Sequence, residues 1–295
     1  MKPVTAAIVR KALPKRRTET QKWDYGHCLV VAGSRRLLGA AVLTTKAALR
    51  GGAGLVTLAT PRSLQALVYS QILEALTLPL EETVDGTVDW GAVGTIKTYA
   101  KERGVTSIVV GPGLTRQEQT TQFIRTLVKE VEIPMVLDAD ALNVKPPLDG
   151  QAFRCLTPHR KEFSRLMSIP EDEVIKKGPA LGRAFAKNHP NAALVLKGFK
   201  SKVFFRSQAW QNPTGNPGMA KGGSGDVLAG LMGAFVAQLA ARKVPIGDYL
   251  QGVLAAVYLH GLSGDLACRA LSEVSMNAED IVAHLPEAMK KTLNR

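Results

Sequence analysis

Cysteine is scarce in this chain. Its 295 residues include three cysteines, which are widely spaced at Cys28, Cys155 and Cys268. Their number is odd and no Cys-x-x-Cys pair occurs, so we expect neither a disulfide framework nor a zinc site. All three lie in apolar sequence, which indicates buried, reduced thiols in a cytoplasmic protein.

Long apolar runs are also missing, because no segment reaches 18 consecutive apolar residues. The longest candidates, Leu228–Ala241 and Gly252–Leu262, are short and contain Gln238 and His260. They predict buried core helices rather than membrane spans. The N-terminus has no apolar core of the secretory type, so we expect no signal peptide and no membrane partner.

Acidic residues are fewer than basic ones, 25 against 38, and the formal net charge is +13. Residues 1–22 hold seven basic residues and one acidic residue, which predicts a basic N-terminal arm. Residues 23–295 contain no low-complexity linker and no repeat, so we expect one domain there. A basic surface can attract nucleic acid. No nucleic-acid-binding signature occurs, however, and anionic nucleotides are the expected ligands.

Two common nucleotide-binding signatures are absent. No Gly-x-x-x-x-Gly-Lys-Ser/Thr segment occurs, which excludes a Walker P-loop protein. The Gly-x-Gly-x-x-Gly fingerprint of dinucleotide-binding folds is missing too, which argues against a dinucleotide bound as redox cofactor.

Short apolar segments alternate with helical ones along most of the chain. The alternation predicts an α/β fold with a doubly wound, mostly parallel sheet flanked by helices. Predicted strands are 27–32, 55–59, 107–110, 135–137, 153–156, 194–196 and 201–205, the last as a hairpin partner of the strand before it. Predicted helices include 39–50, one opening at Pro61, and 225–241, 247–262, 263–272 and 278–293.

Residues 216–230 are the most informative segment, because four glycines precede Asp226 and an apolar helical run follows. Glycines allow close approach to a ligand, and a helix N-terminus with free N–H groups attracts anions. Asp226 in the first turn could take a proton from a hydroxyl that attacks phosphorus. An ordinary turn, with Ser224 or Asp226 as helix cap, is the alternative.

Polar turns follow several predicted strands, at Gly33–Ser34, Gly111–Gly113, Asp138–Asp140, Thr157–His159 and Lys197–Gly198. In open parallel sheets these turns meet at one rim, where ligands bind. Local explanations remain open for some of these residues. Asp138, Asp140 and Asn143 could cap a helix, His159 could lie on the surface, and Lys197 could be solvated.

The motifs together resemble one family. They are Val30–Ser34, Gly39–Ala41, Gly51–Val56, Val110–Leu114, Leu137–Asn143, Leu156–Glu162, Leu196–Gly198 and Gly215–Gly230. The chain is similar, from about residue 10 to its C-terminus, to the ADP/ATP-dependent NAD(P)H-hydrate dehydratases, which are carbohydrate-kinase-like lyases. The resemblance implies a ribokinase-like fold and a stand-alone dehydratase.

The resemblance also implies a reaction. A nucleotide phosphorylates the ring hydroxyl of the S-epimer of NADH hydrate (NADHX) or NADPH hydrate (NADPHX), and phosphate then leaves. Asp226 would be the base, and an anion hole would comprise Gly222, Gly223, Ser224 and Gly225. Nucleotide contacts would come from Lys197, Gly198, Phe199, Lys200, Ser201 and Gly225. Substrate contacts would come from Ala40, Ala41, Gly113, Asp138, Asn143, His159, Glu162 and Asp226.

Cofactors and partners follow from the same resemblance. Mg²⁺ would screen the phosphates, ADP or ATP would be the phosphoryl donor, and ADP is favoured. An NAD(P)HX epimerase would be the functional partner, and a homo-oligomer such as a tetramer is expected.

Three points stay open at this stage. Lys221 replaces the small hydroxyl residue usual in the family, and it could point toward the phosphates or into solvent. A ribokinase-like small-molecule kinase would share the glycine loop and Asp226. A nucleotide sensor or nucleic-acid-binding protein is the other alternative, which the basic arm suggests.

Overall fold

One sheet organises the molecule. A computed structural model describes residues 1–13 and 15–293, and in this part of the chain ten strands form a single sheet. The strands are β1 (Lys2–Pro3), β2 (His27–Val31), β3 (Leu55–Pro61), β4 (Leu76–Leu80), β5 (Ser107–Val110), β6 (Met135–Leu137), β7 (Arg154–Leu156), β8 (Ala192–Leu196), β9 (Lys202–Phe205) and β10 (Gln208–Gln211).

The strand order is β1-β10-β9-β8-β7-β6-β5-β2-β3-β4. All neighbouring pairs are parallel except β8–β9 and β9–β10, which form the predicted hairpin and its extension. The chain runs from β2 outward to β4, then returns to place β5 on the other side of β2. The turns after β2 and β5 therefore diverge at a topological switch point, where ligands bind in open α/β sheets.

Helices cover both faces of the sheet. They are α1 (Ala6–Ala12), α2 (Leu38–Arg50), α3 (Gln65–Tyr69), α4 (Ala92–Arg103), α5 (Glu118–Glu130), α6 (Asp140–Asn143), α7 (Arg160–Met167), α8 (Glu171–Asn188), α9 (Ser224–Ala241), α10 (Tyr249–Leu271) and α11 (Ala278–Leu293). Successive residues of a strand face opposite sides. Cys28 and Val30 accordingly join the core under α9 and α10, whereas Leu29 and Val31 join the core under α4 and α5. The predicted doubly wound, mostly parallel sheet is confirmed.

Helix α9 is the central element of one layer. Among the described residues it is the helix long and apolar enough to cross a membrane, but 78% of it is buried inside the protein. It packs on α2, α10 and the centre of the sheet. A helix that is apolar on all sides belongs in a core, and the prediction of a buried helix at 228–241 is confirmed.

The structure differs from the predictions in several elements. Strands β1, β4 and β10 and helix α1 are not among the predicted elements. They are short, and Pro79 interrupts the alternating leucines of β4. The two helices predicted at 247–262 and 263–272 are one continuous helix, α10. Pro61 is the last residue of β3 and also the N-cap of a 3₁₀ turn, Arg62–Leu64, that leads into α3, so a helical segment starts there as predicted.

The division into an arm (1–22) and a domain (23–295) stays a prediction, but the arm does not stand apart from the fold. Strand β1 pairs with β10, and Val4 and Val9 are buried in the core. Pro14, within the predicted arm, and Asn294 and Arg295, within the predicted domain, lie outside the described residues.

Candidate functional site

The ends of β6, β7 and β8 bring a buried ion pair together. Lys197 Nζ donates to Asp138 Oδ1 at 2.7 Å, and Thr157 Oγ1 donates to the same oxygen at 2.7 Å. Asp138 is only 1% exposed. Burial lowers the pKa of Lys197, but Asp138 and Glu162 raise it by more, so the lysine stays charged. Lys197 is therefore not a solvated lysine, and Asp138 is not a helix cap.

The turn that follows β6 is strained at Ala139, whose φ is +49°. A positive φ is uncommon outside glycine and concentrates at functional sites. Helix α6 begins directly afterwards without a side-chain cap, and Asp140 Oδ2 accepts the N–H of Thr115 at 2.9 Å. The strained turn thus aims two carboxylates, from Asp138 and Asp140, at the carboxyl edge of the sheet.

His159 and Glu162 form a capping box at the start of α7. The ring Nδ1 of His159 accepts from the N–H groups of Lys161 and Glu162, and the Glu162 carboxylate accepts the N–H of His159. Burial and Lys197 lower the pKa of His159, so the ring is neutral with its proton on Nε2, 3.4 Å from Glu162. Burial raises the pKa of Glu162. His159 does lie at the surface, half-exposed at the start of α7, and its predicted substrate contact stays a prediction. Its Glu162 partner lies 3.8 Å from Lys197.

The glycine loop leads into α9 with its amide groups free. Gly223 is the N-cap residue with φ +90°, which favours glycine, and no side chain caps the helix. Within the described chain, the N–H groups of Gly222, Gly223, Gly225 and Asp226 donate to no carbonyl or side chain. A Cβ placed on Gly222 would meet nothing within 4 Å, so the loop opens onto free space. Free amides at the positive end of a helix form an anion site.

The loop and the ion pair are in contact. A Cβ placed on Gly225 would lie 3.1 Å from Lys197 Nζ and 3.6 Å from Asp138 Oδ2. Only glycine leaves this approach unobstructed. His260 on α10 holds the start of α9, because its Nε2 donates to the Ser224 carbonyl at 2.9 Å. Burial lowers the pKa of His260 to about 4.

Asp226 lies in the first turn of α9, as predicted. Burial raises its pKa to about 7, and Asp138 adds to the rise, while Lys197 opposes it. Asp140 and Glu162 also raise it. A carboxyl group that titrates near neutral pH is suited to accept a proton from a substrate hydroxyl.

A second wall of the site comes from the turns after β2 and β5. Gly113 has φ +66°, and a Cβ on it would lie 3.1 Å from the Cβ of Ala40 and would overlap Leu37. Ala40 is half-buried, whereas Ala41 is fully buried against Gly33. Of the two predicted alanines, Ala40 is therefore the one beside Gly113 and open to a ligand.

Other predicted residues lie farther from this centre. Asn143 holds the α6 turn, because its Oδ1 accepts from Arg165 and its Nδ2 donates to the Ala139 carbonyl. Gly198, Phe199, Lys200 and Ser201 form the exposed β8–β9 turn, with Phe199 85% exposed. This turn extends directly from Lys197 and borders the glycine loop through it. The roles predicted for all these residues stay predictions.

Lys221 does not point toward the glycine loop. Its Nζ donates to the carbonyls of Val274 and Met276, both at 2.6 Å. The hypothesis that it faces the phosphates is therefore wrong, and so is the alternative of a lysine splayed into solvent. The loop between α10 and α11 offers free carbonyls nearby, and these bind the ammonium group.

Sequence reasoning missed three site residues. Thr157 orients Asp138, Asp140 adds charge near Asp226, and His260 holds the start of α9. Thr157 and Asp140 lie inside motifs already singled out, so their position carried a signal. His260 carried none, because it interrupts an apolar helix remote in sequence from the loop.

Comparison with known proteins gives a consistent result. The sequence profile of the family described as NAD(P)H-hydrate dehydratase matches residues 28–287. The bifunctional NAD(P)H-hydrate repair enzyme Nnr of Moorella thermoacetica is 36% identical over 97% of this chain and 53% of its own length. The ADP-dependent (S)-NAD(P)H-hydrate dehydratase of Lactiplantibacillus plantarum is 31% identical over 90% of each chain. The chain thus spans about half the length of its bifunctional relatives.

A solved structure extends the likeness to three dimensions. The ADP/ATP-dependent NAD(P)H-hydrate dehydratase of Bacillus subtilis, co-crystallised with ATP and Mg²⁺, superimposes with a TM-score of 0.82. It is 31% identical, and the match covers 99% of this chain and 98% of that one. The expected ribokinase-like fold is confirmed by structural similarity as well.

Proposed function

The chain belongs to the NAD(P)H-hydrate dehydratase family, and we propose that it catalyses the nucleotide-dependent dehydration of (S)-NAD(P)H hydrate. The observation that carries the proposal is the position of Asp226. Its carboxyl group, with a pKa raised to about 7, lies in the first turn of α9, where free amides form an anion site. A base and a phosphate-binding loop within one helical turn suit phosphoryl transfer to a hydroxyl.

The first step transfers a phosphoryl group. Asp226 takes the proton of the ring hydroxyl, whose oxygen attacks the terminal phosphorus of ADP or ATP. The bond from that phosphorus to its bridging oxygen breaks, and AMP or ADP leaves. The free amides of Gly222, Gly223, Gly225 and Asp226 stabilise charge on the transferring group, and Lys197 supplies the positive charge of the site.

The second step eliminates phosphate. The ring carbon–oxygen bond breaks with assistance from the ring nitrogen lone pair, and a proton leaves the neighbouring ring carbon. Phosphate departs with the bonding electrons, and the dihydronicotinamide is restored. Hydroxide is a poor leaving group and phosphate a good one, so the nucleotide's role is to activate the hydroxyl.

Mg²⁺ suits this site as an ion carried by the nucleotide. It keeps several waters and binds phosphates together with one or two carboxylates. The described residues contain no group of three or more His, Cys, Asp or Glu that could hold a metal ion by themselves. Asp140 has a carboxylate oxygen to offer beside the phosphates, because only its Oδ2 is engaged, by the N–H of Thr115. When bound, the ion would screen phosphate charge and polarise the transferring group.

Partners and the donor nucleotide belong to the same proposal. The longer relatives are named bifunctional repair enzymes, which supports an epimerase as functional partner. ADP is favoured as donor because a relative matched over 90% of its length is named ADP-dependent. A homo-oligomer such as a tetramer and a cytoplasmic location complete the proposal.

A repair assay tests the function. Hydrated NADH is mixed with the protein and with ADP or ATP, and the absorbance of the dihydronicotinamide is followed. Asp226→Asn should lower kcat by about 10²–10⁴-fold, because it removes the general base. The variant should keep its fold by circular dichroism and its nucleotide affinity. Phosphate transfer to a sugar or vitamin alcohol, without recovery of the absorbance, would instead identify a small-molecule kinase.

A further inference from the structure

A cavity lies at the topological switch point of the sheet, apart from the glycine loop. Its volume is 330 Å³, and it opens between the turns that follow β2 and β5. The two turns are joined there, because Gly33 N donates to the Pro112 carbonyl at 2.9 Å. Ser34, Arg35 and Arg36 line it from the β2 side, and Thr115 lines it from the β5 side.

The remaining polar groups of the lining satisfy one another. Gln117 Nε2 donates to Asp85 at 3.0 Å, and Gln117 Oε1 accepts from Thr87 Oγ1 at 3.1 Å. Asp85 is the acidic residue of the lining, and its carboxylate is engaged by this amide. The polar groups in this half of the wall therefore already have hydrogen-bond partners.

The other half of the wall lacks partners. Ser34 Oγ and Thr115 Oγ1 are buried and make no hydrogen bond within the described chain. Ser34 as a residue is only 1% exposed. Buried hydroxyls are nearly always paired, so two that lack partners beside one cavity would gain acceptors from a ligand bound there once their side chains rotate toward it.

The arginines add positive charge at the same place. Neither Arg35 nor Arg36 forms an ion pair with the described residues, and Arg35 makes only a long hydrogen bond of 3.4 Å, to the Val84 carbonyl. Guanidinium groups match phosphate in geometry and charge. Two free guanidinium groups and two unpaired hydroxyls offer donors to one anion.

Backbone strain marks the same turn. Thr115 has φ +73°, a conformation that β-branched residues rarely adopt, and its N–H is held by Asp140. The charge of Asp140 also raises the pKa of Asp226. The cavity is therefore tied through the Asp140 side chain to the candidate catalytic site.

We propose that this cavity binds a phosphate group of the hydrated dinucleotide, with Arg35, Arg36, Ser34 and Thr115 as its donors. The inference rests on the proposed function and assigns part of its substrate site. Both hydrates carry a bridging diphosphate, and NADPH hydrate carries an additional 2′-phosphate. Either phosphate has the required chemistry, and kinetics with the two substrates distinguish them.

The first experiment measures KM and kcat with NADH hydrate, NADPH hydrate and ADP. Arg35→Gln and Arg36→Gln should each raise the KM for a hydrate about tenfold, the loss expected for one charge-assisted hydrogen bond. Because the contact is remote from the reacting atoms, kcat should stay unchanged. Arg50→Gln is the matched control, since Arg50 is exposed at the opposite end of α2, about 20 Å away.

The second experiment separates binding from folding. Ser34→Ala should raise the same KM without lowering the melting temperature, because the hydroxyl has no partner to lose. Ser107→Ala is its matched control. Ser107 Oγ is buried and donates to the Gly233 carbonyl at 2.8 Å, so this change should lower the melting temperature and leave KM unchanged.

The outcomes divide clearly. A KM increase for both hydrates supports the proposal with the bridging diphosphate as ligand, and an increase for NADPH hydrate alone supports it with the 2′-phosphate. An increase in the KM for ADP instead, a change in kcat alone, or no change at all would overturn it. An unmodified protein that fails to repair either hydrate would contradict the proposed function itself, which is a separate result.

Discussion

Burial and nearby charges together govern when Asp226 can act as a base. Burial raises its pKa most, Asp138, Asp140 and Glu162 raise it further, and Lys197 alone among the named charges lowers it. Since Lys197 already pairs with Asp138 at 2.7 Å and lies 3.8 Å from Glu162, its charge is shared among three carboxylates. The result is a base that titrates close to neutral pH.

Activity should therefore depend on pH in the range around this pKa. Asp226 must be unprotonated to accept a proton, so kcat/KM should fall about tenfold for each pH unit below about 7 and level off above it. Initial rates of repair across pH 5–9 check this, with nucleotide binding measured at each pH as control. A profile that is flat through this range would show that another group takes the proton.

The same pKa predicts a cost in stability. The pKa is 3.8 ordinarily and about 7 in the folded protein, so the folded state binds more protons between these values. Stability contributed by the protonated group is complete below about pH 4 and is lost as the pH rises toward 7.

Asp226→Asn removes this dependence on pH. The melting temperature of the variant minus that of the unmodified protein should therefore increase from pH 4 to pH 7. Thermal melts of both proteins at pH 4, 5.5 and 7 provide the measurement. A difference that stays constant over the three pH values would contradict the raised pKa.

At the scale of elements, α9 supplies both the anion site and the centre of one core layer. Its first turn is uncapped and its amides are free, while its remaining turns are buried. Burial of the apolar helix body holds the unsatisfied N-terminus in place, because fraying would expose the core residues behind it. The loop before it is anchored separately, through Lys221.

Lys221 connects the glycine loop to the segment between α10 and α11. Replacing it in Lys221→Thr removes two hydrogen bonds to carbonyls, and the free energy of unfolding should fall by about 1 kcal/mol. Amide exchange in residues 272–277 should become faster. Nucleotide affinity at low salt should not change, since the ammonium group is held by carbonyls of the segment between α10 and α11.

Lys200→Thr is a suitable comparison for that experiment. Lys200 lies on the exposed β8–β9 turn predicted to contact the nucleotide, and no hydrogen bond of its side chain occurs within the described chain. If Lys221→Thr weakened nucleotide binding as much as Lys200→Thr, the ammonium group would have to reach the phosphates in the complex.

At the scale of the whole molecule, close contact between α2 and α9 sets the distance between the two walls of the site. A Cβ placed on Gly230 would overlap the carbonyl of Thr44 on α2. Helix α2 carries Ala40 near its start, and α9 carries Asp226 near its start. Packing in the core thus sets the separation of a substrate wall from the base.

Gly230→Ala should separate the two helices. We expect a loss of about 1–3 kcal/mol in the free energy of unfolding, because the extra methyl group overfills a packed core. Gly94→Ala in α4 is the matched control. A Cβ there meets nothing within 4 Å, and removal of an exposed helical glycine should stabilise the protein by about 0.5 kcal/mol.

Urea denaturation of both variants gives these energies. The repair activity of Gly230→Ala should fall as well, whereas that of Gly94→Ala should not. A Gly230→Ala variant as stable and active as the unmodified protein would show that α2 can move without consequence for the site.

Local sequence was sufficient for most features that depend on neighbouring residues. The alternation of apolar strands and helices predicted the layered sheet, and the glycines before an apolar run predicted an open helix N-terminus with Asp226 in its first turn. Short elements such as β1 and β4 escaped prediction, β1 because two residues are too few for a periodic signal and β4 because a proline interrupts its alternating leucines.

Only the tertiary structure decided which distant groups face one another. The pairing of Lys197 with Asp138, the direction of Lys221, the choice of Ala40 over Ala41 and the cavity beside Arg35 all depend on distances between segments far apart in the chain. The raised pKa of Asp226 belongs with them. Burial and the charges of three other segments set it. A sequence shows which residues are charged but not how far each lies from Asp226.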